Sequence, residues 1–318
     1  MTHLWMLLFD VFVVGGIAIM GAVLFLWKYR AQHSDRRSPL TRRLLRSPGE
    51  SLRARVEDAQ WDIATYLAAG MLPMPLALGL YFASWVGGEG APTAGLSTAL
   101  AVCALVAQSW FVAKLWRALA RLRRLRLGHE AEVAIGQELA ELGRSGFRIF
   151  HDFPASDGSF NIDHVLVGPS GVYAIETKGR SRLGRRNAAD ATGEVEYDGK
   201  ALQFPGWVET RPLAQAQRNA DWLQKWLSSA VGQAIAVQPI LALPGWFVLR
   251  MGAEGIPVLA AGQIQSYFGS RSAHAAMSPQ LIGQIVRQLD QKCRDSSLPA
   301  AHRPGARGER EGAVVASR

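Results

Sequence analysis

Apolar and polar positions alternate along this chain in two rhythms. Residues 4–27, 64–86 and 94–116 are almost unbroken apolar runs. Each is long enough to cross a hydrocarbon core as a helix, which takes about 20 residues. The first run has no basic segment before it and ends in Trp-Lys-Tyr-Arg rather than at a small-residue cleavage site. It therefore reads as a retained span, not a signal peptide. Asp10 lies near one end of it, where a carboxylate reaches the interface; a buried functional carboxylate is the alternative. Pro73 and Pro75 predict a kink in the second run. A buried helical hairpin of a soluble protein is the alternative for 64–116.

Past residue 117 the pattern becomes amphipathic. Residues 117–127 continue the third helix with leucines and arginines, suited either to lipid headgroups or to a nucleic-acid backbone. Over 129–145, Glu132, Ile135, Leu139 and Leu142 share one helical face, while Glu130, Gln137 and Glu141 fall on a polar side. Residues 147–153 predict a first strand. Residues 161–167 and 172–178 are β-rich runs flanking Gly-Pro-Ser-Gly, which predicts a hairpin. With Pro169 and Ser170 as its loop, Asp163 falls opposite Glu176 and Asn161 opposite Lys178. Alternation puts these four on one face with Val165, Val167, Val172 and Ala174. Ile162, His164, Leu166, Tyr173, Ile175 and Thr177 take the other.

Residues 194–204 predict an outer hairpin around Asp198-Gly199. Pro212 opens a helix whose buried stripe is Leu213, Ala216, Ala220, Leu223 and Leu227, with Gln215 off that stripe. Residues 235–243 form an apolar strand interrupted by Pro239, which argues for a bulge or an edge. Strand 256–261 and an amphipathic helix at 278–293, with Leu281, Ile285 and Leu289 on one face, follow. From 295 the composition of Pro, Gly, Arg, Glu and Ser predicts disorder.

Charge sharpens this layout. The formal net charge is +9, which calls for an anionic partner: nucleic acid, lipid headgroups, or both. Much of it lies in 28–60 and 114–126, while the 87–93 connection has no Lys or Arg. The positive-inside rule then sets residues 28–60 and everything after 117 in the cytoplasm, with 87–93 and the N-terminus outside. The arginines of 28–60 read either as ordinary positive-inside residues or as a specific lipid or nucleic-acid contact. Cys103 and Cys293 give neither a disulfide framework nor metal-ligand spacing.

Opposed carboxylates on adjacent strands repel at about 4.5–5.5 Å between Cβ atoms. A divalent cation relieves that repulsion, and two carboxylates with room for water suit Mg²⁺. Lys178 adds a positive charge beside them. Metal, activated water and lysine together stabilise the charge that develops on a phosphate under attack. A surface hairpin with solvated Asp, Glu and Lys is the alternative. Arg180, Arg182, Arg185 and Arg186 follow the lysine; they suit phosphate contacts or a solvated loop.

The spacing Asp-x12-Glu-x-Lys resembles the active site of PD-(D/E)XK nucleases. Gly128-His-Glu-Ala-Glu132, Asn-Ile-Asp-His-Val, Gly-Val-Tyr-Ala-Ile-Glu-Thr-Lys and Arg-Pro-Leu-Ala-Gln215, in that order, resemble the nuclease-related domain family over about residues 126–260. Arg211 stands where that family's motif has Asn, which puts the role of that loop in question. The resemblance implies an α/β fold with a restriction-endonuclease-like mixed sheet flanked by helices. It also implies metal-dependent hydrolysis of nucleic-acid phosphodiesters, with DNA the expected substrate. Asp163, Glu176 and the Thr177 carbonyl would hold Mg²⁺ or Mn²⁺. Lys178 would orient the water, Glu132 would hold the metal or its water shell, and Gln215 would lie near the site.

The expected organisation is a membrane anchor of three transmembrane helices in 1–127, a nuclease-like domain in 128–294 and a disordered tail in 295–318. It would sit in the plasma (inner) membrane with the nuclease-like domain in the cytoplasm. A catalytically inactive module of the same fold, binding nucleic acid or a protein at the membrane, is the competing reading. A lipid- or small-molecule-processing membrane enzyme is a third, and no motif supports it.

Overall fold

The computed structural model describes residues 44–86, 93–156, 159–182, 193–272 and 277–295, with helical backbone at several positions between 15 and 30. The expected span 4–27 lies mostly outside the described residues, and the expected tail 296–318 wholly so. The chain divides into two compact units: Met1–Thr41 with Ala54–Leu125, and Arg42–Arg53 with Arg126–Arg318.

The first unit is helical. Helix α1 runs Glu50–Gly70, α2 Pro73–Val86 and α3 Ala94–Glu141. Pro73 occupies a first helical position, where no N–H is needed. The prolines therefore separate two helices instead of kinking one. Two segments, Glu50–Trp85 and Ala94–Ser145, are long and apolar enough to cross a membrane, and 6% of each apolar window is buried. Leu67, Met74, Leu78, Val102, Leu105, Val106 and Trp110 are exposed, so the apolar faces of these helices are not buried within the chain. Among the described residues there are thus two candidate spans where three transmembrane helices were expected.

The second unit begins within α3, whose last turns carry the predicted amphipathic face. The helix tightens to a 3₁₀ turn at Leu142–Ser145 and ends on Gly146, whose φ of 83° suits the left-handed cap. Strands β1 (Arg148–Ala155), β2 (Phe160–Gly168) and β3 (Gly171–Thr177) follow as an antiparallel meander. Next come β4 (Glu194–Tyr197), β5 (Leu202–Phe204), β6 (Trp207–Glu209), α4 (Arg211–Val231), β7 (Val237–Ala242), β8 (Phe247–Arg250), β9 (Val258–Leu259), α5 (Ile264–Ser272) and α6 (Pro279–Asp295).

The main sheet has the order β1-β2-β3-β7-β9, with β7 and β9 parallel to β3. Helices α4 and α6 cover one face, packing Ala220, Leu223, Leu227, Ile285 and Leu289 on Val165, Val167, Val172 and Ala174. The end of α3 and helix α5 cover the other, with Ile135, Leu139 and Phe268 on Leu166, Tyr173 and Ile175. The hairpin register is the expected one: His164 pairs with Ile175 and Gly168 with Gly171.

The outer hairpin is β4 and β5, but it belongs to a second mixed sheet of order β6-β5-β4-β8. Pro239 has a clear physical account. Leu241 and Leu243 donate to Pro257 and Leu259 in the β9 segment, so odd-numbered amides of this strand face β9. Short β9 pairs only with Leu241 and Ala242, leaving Pro239 at an effective edge.

Candidate active site

The site forms where β2 begins, β3 ends and α4 crosses their face. Strand alternation turns Glu176 toward α4, on the face of Ala174 and Val172. It is almost fully enclosed, at 1% exposure. Its Oε1 accepts from the Lys178 Nζ at 2.6 Å, and its Oε2 from Asn219 Nδ2 at 2.7 Å. Lys178 is anchored by its own N–H, which donates to the Ala242 carbonyl at 2.9 Å. Asp163, partly exposed, accepts the Thr177 N–H on Oδ2 at 2.6 Å.

Electrostatics tie three carboxylates together. Burial, then the charges of Glu176 and Glu132, push the Asp163 carboxyl well above its ordinary range; the Thr177 N–H and Lys178 pull against this. Burial also raises Glu176, opposed by Lys178, Arg218 and Asn219. Glu132 reaches this neighbourhood because Gly179 lets α3 pass close to the end of β3. A Cβ on Gly179 would lie 2.6 Å from the Leu127 carbonyl oxygen and 3.0 Å from the Ala131 Cβ.

A second network braces the same end of the sheet. Asp152, at 2% exposure, sits in a left-handed conformation with φ of 47°. Arg46 donates to its Oδ2 at 3.0 Å, the Ser51 N–H to Oδ2 at 3.0 Å and the Ser51 hydroxyl to Oδ1 at 2.7 Å. Asn161 Nδ2 also donates to Oδ1, at 2.7 Å. Asn161, expected opposite Lys178, thus spends its side chain on Asp152. On the opposite face His151 and His164 meet Nδ1 to Nδ1 at 2.8 Å. Burial holds both below the usual histidine range, His151 at about 4.

The remaining candidates fall as follows. Gln215 is partly buried one turn before Asn219 and makes no side-chain hydrogen bond among the described residues. Arg180 forms a two-pronged pair with Glu209, at 2.8 and 2.7 Å. Arg182 donates to the Gly245 carbonyl and lies over the Trp246 ring. Arg185 and Arg186 lie outside the described residues. The sequence reading passed over Asn219. Its signal was there: a polar residue on the apolar stripe between Ala216 and Leu223, where burial demands a partner.

Asp163 and Glu176 offer hard oxygen donors, the chemistry that suits Mg²⁺ or Mn²⁺, and the mutual repulsion of the carboxylates is what a cation would relieve. Asp163 Oδ1 accepts no hydrogen bond among the described residues and is open to such an ion. Among those residues, no group of three or more His, Cys, Asp or Glu side chains is already arranged to hold a metal. In this structure both Glu176 oxygens face Lys178 and Asn219.

Two mixed sheets flanked by helices, with clustered carboxylates and a lysine at neighbouring strand ends, fit a nuclease-like α/β domain. Residues 127–244 match the family model of the nuclease-related domain. No curated protein and no solved structure matches the chain.

Proposed function

We propose that the chain is a membrane-anchored, metal-dependent nuclease that hydrolyses nucleic-acid phosphodiesters, DNA foremost. The carrying observation is the joined set of Asp163, Glu176 and Lys178, with Glu132 in electrostatic reach. Asp163 and Glu176, with the Thr177 carbonyl, would hold Mg²⁺ or Mn²⁺. That ion would supply Lewis-acid stabilisation and an acidified water. Lys178 sits at the lip, with 23% of its side chain exposed against 1% for Glu176. There it orients the attacking water and offsets charge building on the phosphate. Glu132 helps hold the ion or its water shell. Asn219 fixes the Glu176 rotamer. Arg218, exposed and close enough to act on Glu176, stands where a phosphate backbone would enter.

The two apolar segments support anchoring in the plasma (inner) membrane. The lysine and arginine asymmetry supports a cytoplasmic nuclease-like unit and an outside N-terminus.

A binding-only module is favoured by one observation: both Glu176 oxygens are taken by protein donors. The two readings separate in one assay. Full-length protein in detergent is incubated with end-labelled linear DNA in Mg²⁺, Mn²⁺ or EDTA. The nuclease reading expects cleavage with metal and none in EDTA. DNA binding without cleavage in either metal establishes the binding module instead.

A further inference from the structure

Gly128, Glu132 and Gly136 stand four apart and form one stripe of α3. A segment from far upstream lies along that stripe. A Cβ on Gly136 would lie 2.5 Å from Pro48 Cγ, and one on Gly128 would lie 3.2 Å from Leu52 Cδ1. Between them Gly49 meets the acid. A Cβ there would lie 3.6 Å from Glu132 Oε2 and 2.9 Å from His129 Cδ2. Gly49 holds a φ of 68°, and Glu132 is only 7% exposed. The turn that carries Gly49 is fastened along its length. The Ser47 N–H donates to Glu50 Oε2 at 2.9 Å, the Glu50 N–H to the Ser47 carbonyl at 3.2 Å and the Arg53 N–H to the Gly49 carbonyl at 2.8 Å. Arg46 and Ser51, before and after it, both donate to Asp152. Residues 46–52 lie outside the 127–244 that match the nuclease-related domain.

We infer that the turn Ser47–Glu50 is a positioning element of the proposed metal site, with Gly49 setting the Glu132 carboxylate in place. The inference rests on the nuclease reading above. The Gly49 backbone lies against the carboxylate, and a side chain at that position would push it aside. The left-handed φ and the close approach together call for glycine. The same carboxylate acts electrostatically on Asp163, so a displacement of Glu132 is felt at a proposed metal ligand. Groups that orient the donors of a metal site from outside set its affinity. A strap that only braced the fold would change the melting temperature and leave metal affinity alone, so the two roles have different readouts.

The test is Mn²⁺ binding, by isothermal titration of the full chain in detergent, with melting temperature measured on the same samples. Wild type binds Mn²⁺. Glu132→Gln and Gly49→Ala each weaken binding by about tenfold or more, the usual cost of disturbing an outer support of a metal site. The double variant Gly49→Ala/Glu132→Gln binds within roughly twofold of Glu132→Gln, because both changes act through one carboxylate. Glu50→Ala unfastens the same turn at a partly exposed position that the fold tolerates, and it lowers Mn²⁺ affinity in the same direction. A Gly49→Ala protein, or Glu50→Ala if the first does not fold, that melts lower yet keeps wild-type Mn²⁺ affinity overturns the inference and leaves the nuclease reading standing. Losses that add in the double variant overturn it too. Wild type that binds no Mn²⁺ at about 10 mM, a concentration that registers even weak sites, overturns both.

Discussion

Asn219 holds one oxygen of Glu176 while Lys178 holds the other, so the carboxylate has a single buried orientation. Asn219→Ala should therefore lower metal affinity or cleavage by about 10- to 100-fold, the usual cost of losing a supporting partner. The fall should be read as a shift of the Mg²⁺ dependence, with Lys178 still present. A second expectation concerns pH. Asp163 and Glu176 are both raised, so the folded apo protein binds more protons than the unfolded chain above the ordinary values of 3.8 and 4.5. Their contribution to stability is present at acid pH and is lost as pH rises through the raised values. Asp163→Asn should accordingly raise the metal-free melting temperature at neutral pH, by a few degrees, and remove stabilisation by Mg²⁺. A wild-type melting temperature insensitive to Mg²⁺ at pH 8 contradicts the metal assignment. At this scale much was legible. The Gly-Pro-Ser-Gly turn fixes the register, and the register carries Asp163 to the end of β3, where it accepts the Thr177 N–H. Asn219 was not, because reading a helix by its apolar stripe hides the polar residue placed within it.

At the scale of elements, the least legible feature is the segment around residues 44–51. It lies within the arginine-rich stretch 28–60, yet Arg46 and Ser51 close on Asp152, more than a hundred positions away, and Pro48 packs on Gly136. No local periodicity reports a contact of that span. Arg46→Ala would leave Asp152 buried without its cation. The expected loss is about 3–5 kcal/mol, as for one broken half of a buried pair, measured by denaturant unfolding in detergent. Gly136→Ala tests the same docking without touching a charge, since its Cβ would lie 2.5 Å from Pro48 Cγ. A fragment starting at residue 126 lacks this segment and should be less stable than one that retains it. The second sheet was half legible. Asp198-Gly199 announces β4 and β5, whereas the three-residue β6 and the parallel partner β8 carry too little pattern to stand out.

For the whole molecule, the long apolar runs and the family motifs were readable because each is a property of contiguous sequence. Pro73 and Pro75 predict a kink in one helix, whereas Pro73 opens a second helix, which only the structure shows. The charge asymmetry predicts that reporters fused at residue 90 and at the C-terminus lie on opposite sides of the membrane. Both on one side would remove the proposed topology. The most direct measurement of the central claim compares wild type with Lys178→Ala on labelled DNA in Mg²⁺, following cleavage and binding in the same samples. Lys178 serves the transition state in this account, so the variant should lose cleavage by roughly 1,000-fold or more while its DNA affinity stays within about threefold. Cleavage that survives Lys178→Ala at the wild-type rate would contradict it.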